Sequence, residues 1–243
     1  MAQSKIEWTE ETWNPSTGCN KVSSGCKNCY AETMANRLKA IGTPGYENGF
    51  EFTVMPDRLH QPLLKKKPTK YFVNSMSDLF HEKMPIQFLD KIFDVVERTP
   101  HHTYQILTKR EKRMEAYFRG KNLPQNVWMG VSVEDKKSLK RIDFLRKVGA
   151  SIRFISAEPL LEDLGNINLQ DIHWVIVGGE SGHKARPMKK DWALNIKEQC
   201  ELQGSTFFFK QWGTWGSDGV KRNKKSNGMK IDGKIYQDLP LIS

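Results

Sequence analysis

YFVNSMSDLFHEKMPIQFLDKIFDVVERTPHHTYQILTK, residues 71–109, reads as one complete β–α–β unit. Tyr71-Phe72-Val73 is a short β-rich run that stops at the polar stretch Asn74-Ser75-Met76-Ser77-Asp78. Ile86, Phe88, Leu89, Ile92, Phe93 and Val96 then recur with a period near 3.6 residues, which predicts a helix with one apolar face. Tyr104-Gln105-Ile106-Leu107 is the next strand, and it ends in Thr108-Lys109. Two strands joined by a helical crossover run parallel, with the helix packed on the sheet.

The same pattern repeats outward in both directions. Val127 to Val133 ends in Glu134-Asp135, and Ser151 to Ile155 ends in Ser156-Ala157-Glu158-Pro159. Trp174 to Val177 ends in Gly178-Gly179-Glu180, and Thr206 to Phe209 ends in Lys210-Gln211-Trp212. Leu139, Ile142, Leu145 and Val148 mark one intervening helix; Trp192, Leu194, Ile196 and Cys200 mark another. A first strand falls within Ile6 to Trp13, with its helix at Ala31 to Ala40. About seven β/α units exceed a small doubly wound sheet and predict an α/β fold: a partial or complete (β/α) TIM-like barrel of parallel strands. Residues 1–218 form the predicted barrel domain with an N-terminal cysteine loop. Residues 219–243 form a basic C-terminal appendage, β-rich around Met229 to Ile235.

Composition narrows the function classes. The chain has 243 residues, with 38 Lys and Arg against 28 Asp and Glu, a formal charge of +10. At 38% hydrophobic and 10% aromatic it carries enough apolar material for a core. It has no apolar run long enough to span a bilayer. The opening residues are polar and acidic, without the apolar stretch of a secretory signal. Four unevenly spaced cysteines do not make a disulfide scaffold, so the expected compartment is a reducing cytoplasm. Basic clusters at Lys65 to Lys67, Lys109 to Arg113, Lys136 to Arg141 and Lys221 to Lys225 fit an anionic partner, a nucleic acid or nucleotide, or else simply solvated faces.

Nearly every strand in this scheme ends on polar or charged residues. In β/α folds the C-terminal strand ends carry the active site. Ser75, Lys109, Ser132, Glu158, Glu180 and Lys210, each closing a different strand, are the candidate pocket lining; ordinary turn chemistry is the plainer reading. Gly178 to Gly182 lacks the G-x-G-x-x-G pattern, and a carboxylate at Glu180 repels phosphate, which excludes a dinucleotide-binding loop. Trp212 and Trp215 are candidates to stack on a base, or to pack a C-terminal hairpin.

The densest chemical signal is Cys19, Cys26 and Cys29, spaced C-x6-C-x2-C directly after the first predicted strand, with Gly18 and Gly25 beside them. Clustered thiolates suit zinc or iron–sulfur. A structural zinc needs a fourth ligand, and Cys200 sits in a helical pattern as a buried small hydrophobe. Three thiolates with no evident fourth point to a 4Fe–4S cluster with one open iron. Zinc completed by His81, Asp78 or His183 is the alternative, and three unmetallated cysteines the remaining one.

The chain resembles, almost end to end, the phage and bacterial three-Cys-motif proteins, a family of unknown function. The matching pieces include Trp13-Asn14-Pro15, the cysteine triplet, Ser77-Asp78-Leu79-Phe80-His81, Leu107-Thr108-Lys109-Arg110, Ser156-Ala157-Glu158-Pro159 and Phe208-Phe209-Lys210-Gln211-Trp212. More distantly it is similar to radical S-adenosylmethionine (SAM) enzymes of the spore photoproduct lyase-like branch, which repairs DNA. That resemblance implies a 4Fe–4S cluster on Cys19, Cys26 and Cys29. It also implies SAM bound by Ser75 or Ser77, Lys109 and Ser132, with Glu158 and Glu180 on ribose hydroxyls or substrate; the plainer reading of the two is a structural carboxylate that caps a turn or pairs with Arg186. An electron-donor protein and a nucleic-acid or nucleotide substrate follow from it, in the cytoplasm of a bacterial host if the protein is phage-encoded. The first cysteine gap is six where that branch has three. Gly178-Gly179-Glu180 lies on a late strand and is not the branch's GGE motif. Two classes therefore stand: a radical SAM-type enzyme, and a zinc-stabilised nucleic-acid-binding protein without catalysis.

Overall fold

The computed structural model describes residues 2–4 and 6–241. Two compact units make it up. The first comprises the residues up to Val22, Cys29–Met129 and Val148–Ser151; the second comprises Ser23–Asn28, Gly130–Lys147 and the residues from Ile152 onward.

In the first unit the elements follow one another as β1 (Ala2–Gln3), β2 (Glu11–Trp13), β3 (Ser16–Thr17), α1 (Tyr30–Ala40), β4 (Thr53–Val54), β5 (Lys70–Val73), α2 (Ile86–Glu97), β6 (Thr103–Thr108) and α3 (Glu111–Phe118). Strands β2, β5 and β6 are parallel, with Trp13 opposite Val73 and Val73 opposite Ile106. Strand β1 pairs antiparallel on the outer edge of β2, and β3 pairs with β4 as a separate hairpin. The periodic residues of α2 point inward as the spacing requires: Leu89, Ile92, Phe93 and Val96 are buried. Phe93 stacks on Tyr117 of α3 and meets Phe118 edge-on. Across the sheet, Tyr71 and Tyr104 stack, and Trp13 tilts against Tyr104. Each such fully buried large side chain contributes about 1.5–3 kcal/mol through apolar area removed from water.

β7 (Val127–Ser132) begins in the first unit and ends in the second. The second unit continues with α4 (Arg141–Arg146), β8 (Ile152–Ala157), β9 (Trp174–Gly178), α5 (Lys190–Gln203), β10 (Thr206–Gln211), α6 (Lys224–Asn227), β11 (Lys230–Ile231) and β12 (Lys234–Ile235). Ile155 lies opposite Val175, and Phe208 opposite Ile176, again in parallel register. Every residue of β7 and of β9 is buried, the pattern of parallel strands covered on both faces. Phe154, Trp174 and Phe208 pack in sequence across this part of the sheet. Cys200 is buried on α5, and burial pushes its thiol up to about 12, as expected for a cysteine used as a small hydrophobe.

The hydrogen-bonded strand order is β1-β2-β5-β6-β7-β8-β9-β10, and β2 and β5 to β10 are the seven parallel strands. The sheet is open, so of the two barrel forms the partial one, a curled half-barrel, is realised. Strand and helix positions agree with the sequence reading to within a few residues. The first parallel strand is only Glu11–Trp13, the end of the Ile6 to Trp13 stretch. The segment after residue 218 carries the antiparallel pair β11/β12 and rests on β10: Phe209 N–H donates to Tyr236 O, and Gln237 forms a bridge with Phe208.

Candidate functional site

Local chain geometry decides where the cysteine loop starts. Gly18 has φ of +75°, and a Cβ there would lie 2.0 Å from the Glu51 carbonyl oxygen. The residue is glycine because the backbone at 50–51 crosses it and the left-handed conformation is needed. The crossing chain alone therefore accounts for Gly18. Gly25 instead leaves room for the buried Glu134 side chain, since an added Cβ would lie 2.7 Å from its carboxylate oxygen.

In the first unit the C-terminal ends of β2, β5 and β6 hold Cys19 in a polar network. Asp78, 6% exposed, is its hub. Its carboxylate accepts from Phe80 N (3.0 Å), Thr108 Oγ1 (2.7 Å) and Lys109 N (3.0 Å), and pairs with Arg110 Nη1 at 3.1 Å. The same Nη1 lies 3.5 Å from Cys19 Sγ, and Nη2 donates to the carbonyl and side-chain oxygens of Asn20. Arg110 is therefore the cation beside the first cysteine. Burial works against its charge, but Asp78 and the Cys19 sulfur raise its affinity for the proton.

Ser75 and Ser77 close the other side of these strand ends. Ser75 Oγ donates to Asn14 Oδ1 at 3.2 Å, while its carbonyl accepts from Tyr30 Oη at 2.5 Å. Ser77 Oγ donates to Gly18 O at 2.7 Å. Asn14 also accepts from Met76 N, so it fixes the turn after β5. Cys29 precedes α1 and packs on the small cluster of Ala31, Ala35, Tyr46 and Met76. Of the predicted residues, Ser75, Ser77 and Lys109 thus gather in this unit, with Cys19 and Cys29. His81 is buried and stacks on Phe52, centroids 4.2 Å apart. Its Nδ1 accepts from Lys83 N and its Nε2 has no partner. Burial, reinforced by Arg110, lowers its pKa to about 4, so it is neutral at pH 7.

In the second unit the predicted residues again sit at C-terminal strand ends, and residues 23–28 are pinned to them. Ser132 is buried at the end of β7, and its carbonyl accepts from Arg141. Glu134, fully buried, pairs with Arg141 at 2.7 Å and accepts from the Ser23 hydroxyl. Ser24 donates to Asp135 at 2.5 Å. Asn28 Nδ2 donates to Glu180 at 3.1 Å. Cys26 lies in this pinned stretch, its sulfur 3.6 Å from Ser23 Oγ. Glu180 also receives three hydrogen bonds from Arg186, one from the backbone and two from the guanidinium at 2.9 and 2.6 Å. Burial pushes that carboxyl up, but Arg186 and Asn28 outweigh it and hold it below the usual carboxylate range. Glu158 pairs with Lys210 at 3.4 Å. Trp212 is buried, its indole N–H bonded to Lys230 O, so it is a core residue and not a stacking surface. Two cavities, of about 390 and 500 Å³, lie by α2/α3 and by the start of β10, away from these strand ends.

Among the described residues no disulfide joins the cysteines, and Cys19, Cys26 and Cys29 are all partly exposed, whereas Cys200 is buried on its helix. Cys19 and Cys29 belong to the first unit and Cys26 to the second. Among the described residues no three His, Cys, Asp or Glu side chains are gathered to hold a metal ion. Of the alternative zinc ligands, Asp78 has its oxygens committed to Arg110 and to backbone, His183 is exposed, and His81 alone is buried with an open nitrogen. Arg110 and Asn14 escaped the sequence reading; their signals were the Arg that follows Thr108-Lys109 and the Trp13-Asn14-Pro15 turn. Arg186, expected as a structural partner of these carboxylates, does pair with Glu180.

A parallel α/β half-barrel with a cysteine loop leaving its first parallel strand is the class of protein these units define. The chain belongs to the family described as "Protein of unknown function (DUF5131)", whose model matches residues 3–240. No curated protein matches it. Among solved structures it is similar to spore photoproduct lyase complexed with dinucleoside spore photoproduct, at 13% identity and TM-score 0.44, covering 83% of this chain and 64% of that one. A mutant of that lyase with bound AdoMet and dinucleoside spore photoproduct gives 14% identity and TM-score 0.46 over 83% of this chain and 64% of that one. Another mutant gives 14% and 0.45 over 94% and 73%. The chain thus spans 64% of the first of these lyase structures.

Proposed function

We propose that this is a three-Cys-motif protein of radical SAM type, an iron–sulfur enzyme that modifies or repairs a nucleic acid or nucleotide. The observation that carries the reading is the position of the cysteine loop. It leaves the first parallel strand, and each unit anchors its share of the loop to C-terminal strand ends: Cys19 through Arg110 and Asp78, residues 23–28 through Glu134, Asp135 and Glu180. In α/β sheets that end is where ligands bind.

In this reading Cys19, Cys26 and Cys29 are the ligands of a 4Fe–4S cluster, and a reducing cytoplasm keeps them as thiols. A cluster held by these cysteines would supply one-electron reduction of SAM, with the electron coming from a donor protein, for radical chemistry on the substrate. The chain's own part is orientation and charge. Arg110 holds the Cys19 sulfur with an N–H bond and offsets thiolate charge. Lys109, partly exposed and bonded to Asp78 only through its backbone, offers its ammonium to the SAM carboxylate. The hydroxyls of Ser75 and Ser77, and Ser132 at the end of β7, are the further SAM contacts that the resemblance to radical SAM enzymes implies. Glu158 and Glu180 hold sugar hydroxyls in this scheme; Glu180, bound by Arg186 and Asn28, has less capacity to spare than Glu158.

The test is anaerobic reconstitution with iron and sulfide, then chromatography for methionine and 5′-deoxyadenosine after reduction. The expected result is a brown protein with about four irons that cleaves SAM, both properties being lost when the three cysteines are replaced by alanine. A colourless protein that takes up one zinc and no iron overturns the proposal.

A further inference from the structure

We propose that the surface built from residues 182–186 and 214–225 in the second unit docks a single strand of nucleic acid. This rests on the nucleic-acid part of the function proposed above and names the surface that takes the strand. It does not depend on a cluster or on SAM.

The two segments leave the C-terminal ends of β9 and β10 and are laced together. Thr214 N–H donates to Glu180 O (2.9 Å), and Gly182 N–H to Thr214 Oγ1 (2.9 Å). The Trp215 indole N–H donates to Ala185 O (2.7 Å), and Lys221 Nζ to His183 O (2.5 Å). Trp215 and Lys221 pair as an antiparallel bridge, with Arg222 N–H on Thr214 O at 2.9 Å. The tryptophan is thereby held by its N–H while its ring stays partly exposed, with the Lys221 ammonium 5.9 Å from the ring centre.

Around that ring the charge is one-sided. Lys184, Lys221, Arg222, Lys224 and Lys225 are all exposed. Asp218 is the only acid from residue 213 to 228. The Arg222 guanidinium beside it holds its carboxyl at about 2, so it remains ionised and spent on that one pair. Among the described residues, Lys221, Lys224 and Lys225 have no carboxylate partner. Ammoniums on long four-carbon stems can follow a phosphate backbone, and an aromatic ring fixed among them gives a base something to stack on. A lipid surface is the poorer match: Val220 is the only large exposed apolar residue in this stretch, too little area to enter a headgroup layer.

The experiment is fluorescence anisotropy with the full-length apo protein and labelled oligothymidylate or oligouridylate, over a salt series. The variant is Lys221→Gln/Lys224→Gln/Lys225→Gln. Its control, Lys39→Gln/Lys83→Gln/Lys91→Gln, removes the same charge from exposed positions of the first unit outside the basic clusters. The lysine variant is expected to lower the log–log salt slope by about 2, at about 0.7 per phosphate contact on a single strand, and the control to leave it unchanged. Trp215→Ala is expected to weaken binding about tenfold at fixed salt, and Trp215→Phe to restore most of it. Tighter binding of one oligomer assigns DNA or RNA. Equal losses in the two lysine variants overturn the proposal, as do absent binding at low salt and preference for phosphatidylserine vesicles over both oligomers. Iron loading is measured separately, so a protein that binds the strand but no cluster separates this inference from the enzymatic reading.

Discussion

At the scale of single residues, Asp78 and Arg110 do the most. Both are more than nine-tenths buried, and each is the other's main countercharge. Breaking a buried pair leaves a charge that the surroundings cannot solvate. Asp78→Asn is expected to cost about 3 kcal/mol or more in urea denaturation, whereas Asp94→Asn, which breaks the exposed pair with Arg98, costs under about 0.5 kcal/mol. His81 gives a pH signature. Its pKa is lowered to about 4 in the fold and returns to about 6.5 in the unfolded chain, so the unfolded state binds the extra proton. Its contribution is therefore complete above pH 6.5 and is lost as pH falls toward 4. His81→Phe, which keeps the stack on Phe52, is expected to flatten the fall of stability over that window. His102 and His173 shift in the same direction, so some slope remains. The sequence showed which residue types close the strands, because strand ends and polar residues coincide along the chain. It did not show that Arg110 rather than Lys109 turns toward the cysteine, since neighbouring side chains after a strand differ only in rotamer and burial.

Elements carried their own evidence. The helix over 86–97 was legible because its buried face repeats every turn, and β7 and β9 because an unbroken apolar run bounded by polar residues suits a strand covered on both sides. The short strands β3 and β4 and the pair β11/β12 carry too few residues for a period to register. Gly178-Gly179-Glu180 was legible as a turn but not in its purpose. A Cβ on Gly179 would lie 1.9 Å from the Trp212 carbonyl oxygen, so the glycine allows the chain after β9 to pass against the chain after β10. Gly179→Ala is expected to destabilise by about 1–3 kcal/mol through forced backbone separation, read as a lowered thermal midpoint. Gly149→Ala, with no atom within 4 Å of the new methyl, serves as the neutral comparison.

For the molecule as a whole, the two units are not successive halves of the chain. The first borrows Val148–Ser151, the second borrows Ser23–Asn28, and β7 runs through both. Cutting between Met129 and Gly130 therefore divides a strand and strands a segment of each unit in the wrong fragment. Neither fragment is expected to give a cooperative thermal transition alone, while the intact chain unfolds in one step with coincident fluorescence and circular dichroism. Hydrophobic periodicity could not reveal this interleaving, because it records which face of an element is buried and not which other segment buries it. The strand order has one more consequence. An open sheet has two bare edges, yet here β1 lies along β2, and residues 236–237 lie along β10. Strand β1 and residues 236–237 thus act as selvedges that keep one molecule from being stitched to the next. Trimming residues 1–5 or 229–243 is expected to turn a clear solution turbid on storage, with light scattering rising before ellipticity falls.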